Sequence, residues 1–171
     1  FIYGNRIMSE AAEAMDDTID DAESRQAAAD STIRTHMYVA MGAGAIPIPA
    51  VDLVAITGTQ VNMIRKLSEI YGVTFSENAV RNIIGSLVGG ILPVGIAGSV
   101  VSWVKAVPVL GTGVGLLAMP ALAGGATYAL GKIVVQHLDA GGTFLNLDPE
   151  KVREHFQNEF EVGKDKAKAK A

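Results

Sequence analysis

Few side chains in this sequence could do chemistry, and their spacing limits what that chemistry is. Cys is absent, which removes disulfides, thiolate metal sites and cysteine nucleophiles. The three histidines, His36, His137 and His155, lie far apart and share no metal-ligand spacing; each reads as a surface or packing residue. GTGVG at 111–115 looks like a phosphate loop, but no Lys-Ser/Thr pair follows it and it does not sit between a strand and a helix. A helix contact or a bend is the better reading. DDTIDD at 16–21 sets Asp16/Asp20 and Asp17/Asp21 one helical turn apart. Such pairs could hold a divalent cation, yet they read first as a solvated acidic face. No Ser has a His and an acid recognisably arranged near it, so nucleophilic catalysis has no support. The chain therefore reads as non-enzymatic, with no catalytic residue, no cofactor and no metal ligand.

Asp52 stands out among the charges. It lies in IPIPAVDLVAITGTQ, a segment that is otherwise uncharged. At the centre of a bilayer an Asp costs roughly 2.5–3.5 kcal/mol on insertion scales, so its carboxylate needs donors. One environment is the first turn of a helix starting after Pro49, where free amides and the helix dipole favour an anion. Others are an ion pair with Arg65 or Lys105, or a polar link between helices. Gln60 and Asn62 could extend such a polar seam.

The elements that must position these residues are helical. Residues 6–36 are rich in Ala and acidic residues and free of Gly and Pro, with Ile7, Ala11, Ala14, Met15, Ile19, Ala22 and Ile33 at 3–4 spacing. The stripe is narrow, so this acidic amphipathic helix is expected to lie shallowly on a partner. Residues 37–45 continue it or begin another. Pro47 and Pro49 break the chain. A helix from about Ala50 to Tyr71 follows, with Val51, Val54, Val61, Ile64, Leu67 and Ile70 in register and Gly72 at its C′ position. Thr74 and Glu77 have capping-box spacing before the next helix. Asp148-Pro149 opens a last helix whose Val152, Phe156 and Phe160 share a face. The Lys/Ala tail follows.

Between these elements the chain is unusually apolar. Charged residues make up 19% of its 171 residues, against the roughly 25% of an average soluble domain. Mean hydropathy is +0.30. The formal net charge of −4 offers no basic field for nucleic acid. Residues 82–104 and 106–131 are two uncharged runs separated by Lys105, each long enough to cross about 30 Å of hydrocarbon as a helix. A helical hairpin bending near Lys105–Pro108 is predicted, with Pro93, Pro108 and Pro120 kinking or breaking helices. Gly85/Gly89, Gly111/Gly115 and Ala121/Gly125/Ala129 recur at four-residue spacing, which lets helix backbones approach closely. Pro47, Pro49, Asp52, Gly85, Gly89, Gly111, Gly115 and Gly125 are the expected structural residues. The opening residues do not read as a secretory signal, and Phe1 in place of Met suggests that the numbering begins inside a longer chain.

A family resemblance rests on Ile46, Pro47, Pro49, Asp52 and Gln60, on Tyr71-Gly72, on Pro108, Gly111 and Thr112, and on the run Thr127 to Gly131. Over about residues 38–142 the chain resembles the YcjF-like family, bacterial GTPase-associated domains of unknown function. That resemblance implies membrane association and a small GTPase as partner. It implies no catalytic residues, and the chain carries no GTPase motif of its own.

The predicted fold is an all-α helical bundle of five to seven helices, containing a Gly-rich hydrophobic helical hairpin and a long acidic N-terminal amphipathic helix. Three parts are expected: the acidic helix over 1–36, a YcjF-like hydrophobic domain over 37–142, and a C-terminal amphipathic helix with its tail over 143–171. The expected function is that of a membrane-associated scaffold or adaptor. Its partners would be membrane lipid, further copies of itself and a small GTPase. The expected place is the bacterial inner membrane. Arg65, Lys66, Arg81, Lys132 and the Lys164–Lys170 tail flank the hairpin, against Lys105 in its bend, so both ends are expected on the cytoplasmic side. The alternative is a self-assembling cytoplasmic or peripheral protein, with the hairpin buried between subunits.

Overall fold

Helix spacing and helix caps account for most of the architecture. A computed structural model describes residues 2–46, 48, 51–90 and 113–170. Among them are five helices: α1 (Ile2–Gly44), α2 (Val51–Tyr71), α3 (Glu77–Val88), α4 (Gly113–Asp139) and α5 (Pro149–Lys168). None of the described residues forms a strand. The protein is an all-α bundle. The expected bend at Lys105–Pro108, together with Pro47, Pro49, Pro93 and Gly111, lies outside the described residues.

The helix ends follow local chemistry. Gly72 has φ +64°, the left-handed backbone that favours glycine. It closes α2 with two paired bonds, Val73 N–H to the Ser68 carbonyl at 2.9 Å and Gly72 N–H to Glu69 at 3.3 Å. Gly141, at φ +82°, closes α4 in the same way through the carbonyls of His137 and Leu138. Asp148 caps α5, its side chain accepting from Glu150 N–H at 3.0 Å ahead of Pro149. The capping box expected at Thr74 and Glu77 does not form. The N-cap of α3 is Ser76, which makes no side-chain cap bond, and Glu77 instead accepts from Arg81 one turn later at 3.0 Å.

α1 runs unbroken through residues 37–44 and is about 65 Å long at 1.5 Å per residue. Arg6 to Asp21 are exposed throughout. Its second half is anchored, with Ala29, Ile33, Met37 and Ala40 buried at 3–4 spacing. α4 lies at the centre and makes its largest contacts with α5 and α1. It continues through Pro120 without a break. The main core joins Ile33 of α1, Ile64 and Leu67 of α2, Ile84 and Leu87 of α3, Leu130, Ile133 and Val134 of α4, and Phe156 and Phe160 of α5. Burying side chains of this size contributes about 1.5–3 kcal/mol each.

The described parts of the two uncharged runs are thus built into this core. Residues 82–88 belong to α3, which buries Ile83, Ile84 and Leu87. From Ala121 onward the second run is covered by the chain's own α1 and α5. No described helix is long and apolar enough to cross a membrane; most of the predicted hairpin, residues 91–112, lies outside the described residues.

Candidate functional site

Two features of the bundle could carry function: a buried polar seam between α1, α2 and α4, and an exposed apolar corner where α1 meets α2. The seam arises because α2 places polar side chains on its inner face. Gln60 and Thr127 are both buried, and the Gln60 amide donates to the Thr127 hydroxyl at 3.2 Å, tying α2 to α4. Buried polar atoms of this kind cost about 1–3 kcal/mol when left unpaired, so the pair fixes the register of the two helices. A second link runs from Asn62 Nδ2 to Nε2 of the buried His36 at 3.2 Å, while His36 Nδ1 lies 2.7 Å from the Thr32 carbonyl. Both ring nitrogens of His36 are thereby engaged, one by Thr32 within α1 and the other by Asn62 of α2. Ser68, also buried, donates to the Arg65 carbonyl at 2.6 Å.

Asp52 occupies the first turn of α2 and is buried. Its carboxylate accepts from Leu53 N–H at 2.7 Å. The ion pair with Arg65 does not form, because Arg65 faces Glu77 at 3.9 Å and stacks over the Phe75 ring at 4.9 Å. Lys105 lies outside the described residues. The link between helices is made by Gln60 and Thr127 rather than by Asp52.

The other histidines hold local structure. His137 Nε2 lies 3.0 Å from the Thr143 carbonyl and 2.8 Å from Asn146 Oδ1, pinning the loop between α4 and α5. A side chain on Gly142 would collide with this ring. His155 Nε2 lies 2.5 Å from Gln136 Oε1. Asp16, Asp17, Asp20 and Asp21 lie on the exposed half of α1. Among the described residues no three His, Asp or Glu side chains converge in a way that could hold a metal ion.

The glycines with matched spacing do different things. Gly125 packs against α5, where an added Cβ would lie 2.8 Å from Lys164 Cγ and 3.0 Å from its backbone nitrogen. Gly163 faces it, and a Cβ there would lie 2.8 Å from the Gly125 carbonyl oxygen. Gly85 is exposed, with no described atom near the place of its missing side chain. Gly89 is the C-cap of α3, and Gly115 lies in the first turn of α4.

Spacing gave no sign of a further cluster near the end of α2. Arg25 sits 5.4 Å from the Tyr71 ring centroid, and Gln26 donates to Asp139 at 3.0 Å. The buried Tyr71 hydroxyl has no hydrogen-bond partner in good geometry. Burial first, and then the Asp139 carboxylate, push its pKa up to about 12.

The apolar corner consists of Val39 at the end of α1, Ile48 in the connection, and Val51, Leu53 and Val54 at the start of α2, all exposed. Beneath them Ala40, Ile56 and Ala123 form a small cluster of their own. Gly44 lets α1 close on α4, where a Cβ would lie 3.0 Å from the Met119 carbonyl oxygen. Asp52 is the sole charge between residues 37 and 64, so the segment that builds this corner is aliphatic but for Asp52.

Residues 8–164 match a family model described as a domain of unknown function, DUF697. The chain belongs to this family. The family match takes in most of α1 and most of α5, beyond the 38–142 of the resemblance in sequence. A relative in Magnetospirillum gryphiswaldense, named magnetosome membrane protein 22, is 37% identical over 145 residues, covering 84% of this chain and 74% of that protein. No solved structure matches the chain. Of the residues that carry the resemblance in sequence, Gln60 and Thr127 lie in the seam, and Gly131 packs against Ile33 of α1.

Proposed function

We propose that this chain is a non-enzymatic, membrane-associated bundle that docks on a bilayer through its apolar corner. The observation that carries this reading is the exposed aliphatic set Val39, Ile48, Val51, Leu53 and Val54, gathered where α1 meets α2 in a segment whose sole charge is Asp52. Contiguous exposed apolar patches on soluble bundles mark interaction surfaces. The name of the relative, a magnetosome membrane protein, supports lipid rather than protein as the primary contact. On this reading the locale is the bacterial inner membrane. The exposed acidic half of α1 is then the face left for an adaptor's protein partner, a small GTPase by the YcjF-like resemblance, or for a second copy of the chain.

The test is flotation with vesicles of phosphatidylcholine and phosphatidylglycerol. The wild-type chain is expected to float with the lipid. Val39→Asp/Val54→Asp, at two exposed positions, is expected to lose more than tenfold in binding while keeping its helical circular dichroism. A wild-type chain that stays at the bottom of the gradient overturns the docking reading.

A further inference from the structure

Beside the apolar corner, α1, α4 and the end of α5 border an open cleft of about 420 Å³. Four cations line it, Arg34, Lys132, Lys166 and Lys170, against one carboxylate, Asp30. Asp30 is already taken by Lys132 at 3.2 Å. Arg34, Lys166 and Lys170 make no ion pair among the described residues. Lys166 Nζ is held over the Tyr128 ring, 5.6 Å from its centroid, a contact that orients the ammonium. In a chain of net charge −4, this surplus of three cations is a local reversal of sign. Bringing like charges together costs free energy unless an anion joins them. An Arg fork beside Lys ammonium groups is the donor set that recognises phosphate oxygens.

The position of the cleft narrows the source. Arg34 lies five residues before Val39 and ten before Gly44 on α1, about 7.5–15 Å from the corner by helix rise. Tyr38 lines the cleft and neighbours the exposed Val39. An apolar surface seated about 5–10 Å into the boundary between headgroups and acyl chains brings the cleft to the level of the lipid phosphates. We infer that the cleft binds a phosphate group, with Arg34 and Lys166 as its principal donors. The choice of a lipid headgroup as the source rests on the docking reading above; the phosphate chemistry does not.

The experiment uses the full chain. It is floated with phosphatidylcholine vesicles with and without phosphatidylglycerol, and titrated with sn-glycerol 3-phosphate while side-chain nitrogen resonances are followed. Arg34→Gln/Lys166→Gln is compared with Lys66→Gln/Lys151→Gln, which removes the same charge away from the cleft. With a lipid source, phosphatidylglycerol strengthens binding, the cleft pair loses between about tenfold and thirtyfold, and the control pair changes less than threefold. With a soluble source, glycerol phosphate shifts the Arg34 and Lys166 resonances while phosphatidylglycerol adds nothing, and the phosphate site stands. If the wild-type chain floats with neither vesicle yet glycerol phosphate still shifts those resonances, the docking reading fails and the cleft remains. Equal losses in the cleft and control pairs, or no response of either residue to either phosphate, overturn the inference. Unchanged thermal midpoints establish that both pairs stay folded.

Discussion

α3 and α4 both carry small residues at four-residue spacing inside uncharged runs, and the structure uses the two sets in opposite ways. On α4, Gly125 meets Gly163 of α5 nearly backbone to backbone. On α3, Gly85 meets no described atom and Gly89 ends the helix. Close-approach spacing records where two backbones could meet. Whether they do depends on a second small residue on the partner, here Gly163, far away in sequence.

The sharpest way to break this contrast is to fill the crowded side. Gly163→Val places a branched side chain against the Gly125 backbone and Tyr128 Cβ. Neither can yield, so a loss at or above the about 1–3 kcal/mol of ordinary overpacking is expected, read by urea unfolding. Gly125→Leu is expected to cost a similar amount: Lys164 Cγ can shift, but the Lys164 backbone nitrogen, 3.0 Å from the added Cβ, cannot. A variant of either kind with wild-type stability would mean that α4 and α5 are not held this closely.

The seam on the same helix tests whether α4 is fixed by polar pairing as well as by packing. Thr127→Val removes the hydroxyl that Gln60 donates to and leaves a buried amide unpaired. A loss of about 1–3 kcal/mol is expected. The double variant Thr127→Val/Gln60→Leu is expected to recover part of it, and strict additivity in a double-mutant cycle would show that the two side chains do not interact.

On the open side the sign reverses. Gly85→Ala is expected to stabilise the chain by about 0.5–1 kcal/mol, since alanine is the better helix former and meets no described neighbour. Gly85→Leu sharpens the point. It should leave the unfolding free energy near that of the alanine variant; a shift in assembly state by light scattering with the fold intact would identify this face of α3 as a subunit contact.

The effect confined to high pH concerns Tyr71. Its folded pKa, about 12, lies above the ordinary value near 10, so the folded state holds the proton more tightly. Its contribution to stability is complete below pH 10 and is lost as pH rises from 10 to 12. Subtracting the profile of Tyr71→Phe from that of the wild type should leave this decline. A flat difference would show that the hydroxyl is as well solvated as in the unfolded chain.

Much of the bundle was legible in the sequence because caps and spacing act locally. Gly72 and Asp148-Pro149 do what their residue types dictate, and Ile64, Leu67, Phe156 and Phe160 face inward as their 3–4 register requires. The fate of the apolar runs was not legible. A helix that is apolar on nearly all sides suits a bilayer or the middle of a bundle equally, and only the partners decide. For residues 121–138 the partners are α1 and α5 of the same chain. Residues 37–45 left open whether α1 continues or a new helix begins; the helix continues to Gly44, where the close approach to Met119 and Ala123 leaves no room for a side chain. The seam was half visible: Gln60 and Asn62 were marked, but nothing local linked them to Thr127 and His36. The cleft was invisible, since Arg34, Lys132 and Lys166 meet only once three helices are folded together.

The division of α1 into an anchored and a free half has a kinetic consequence. An isolated helix must first form its nucleus, at a statistical cost on the order of 1,000-fold. Here the packed turns from Ala29 to Ala40 supply that nucleus permanently, so the free turns need only propagate from it. They should be helical without help from a partner, while opening from the tip inward many times for each global unfolding event. Amide exchange should therefore slow steadily along α1, and limited trypsin digestion should cut at Arg6 before Arg25 and at Arg25 before Arg34. A ligand that grips the tip would slow exchange in residues it never touches.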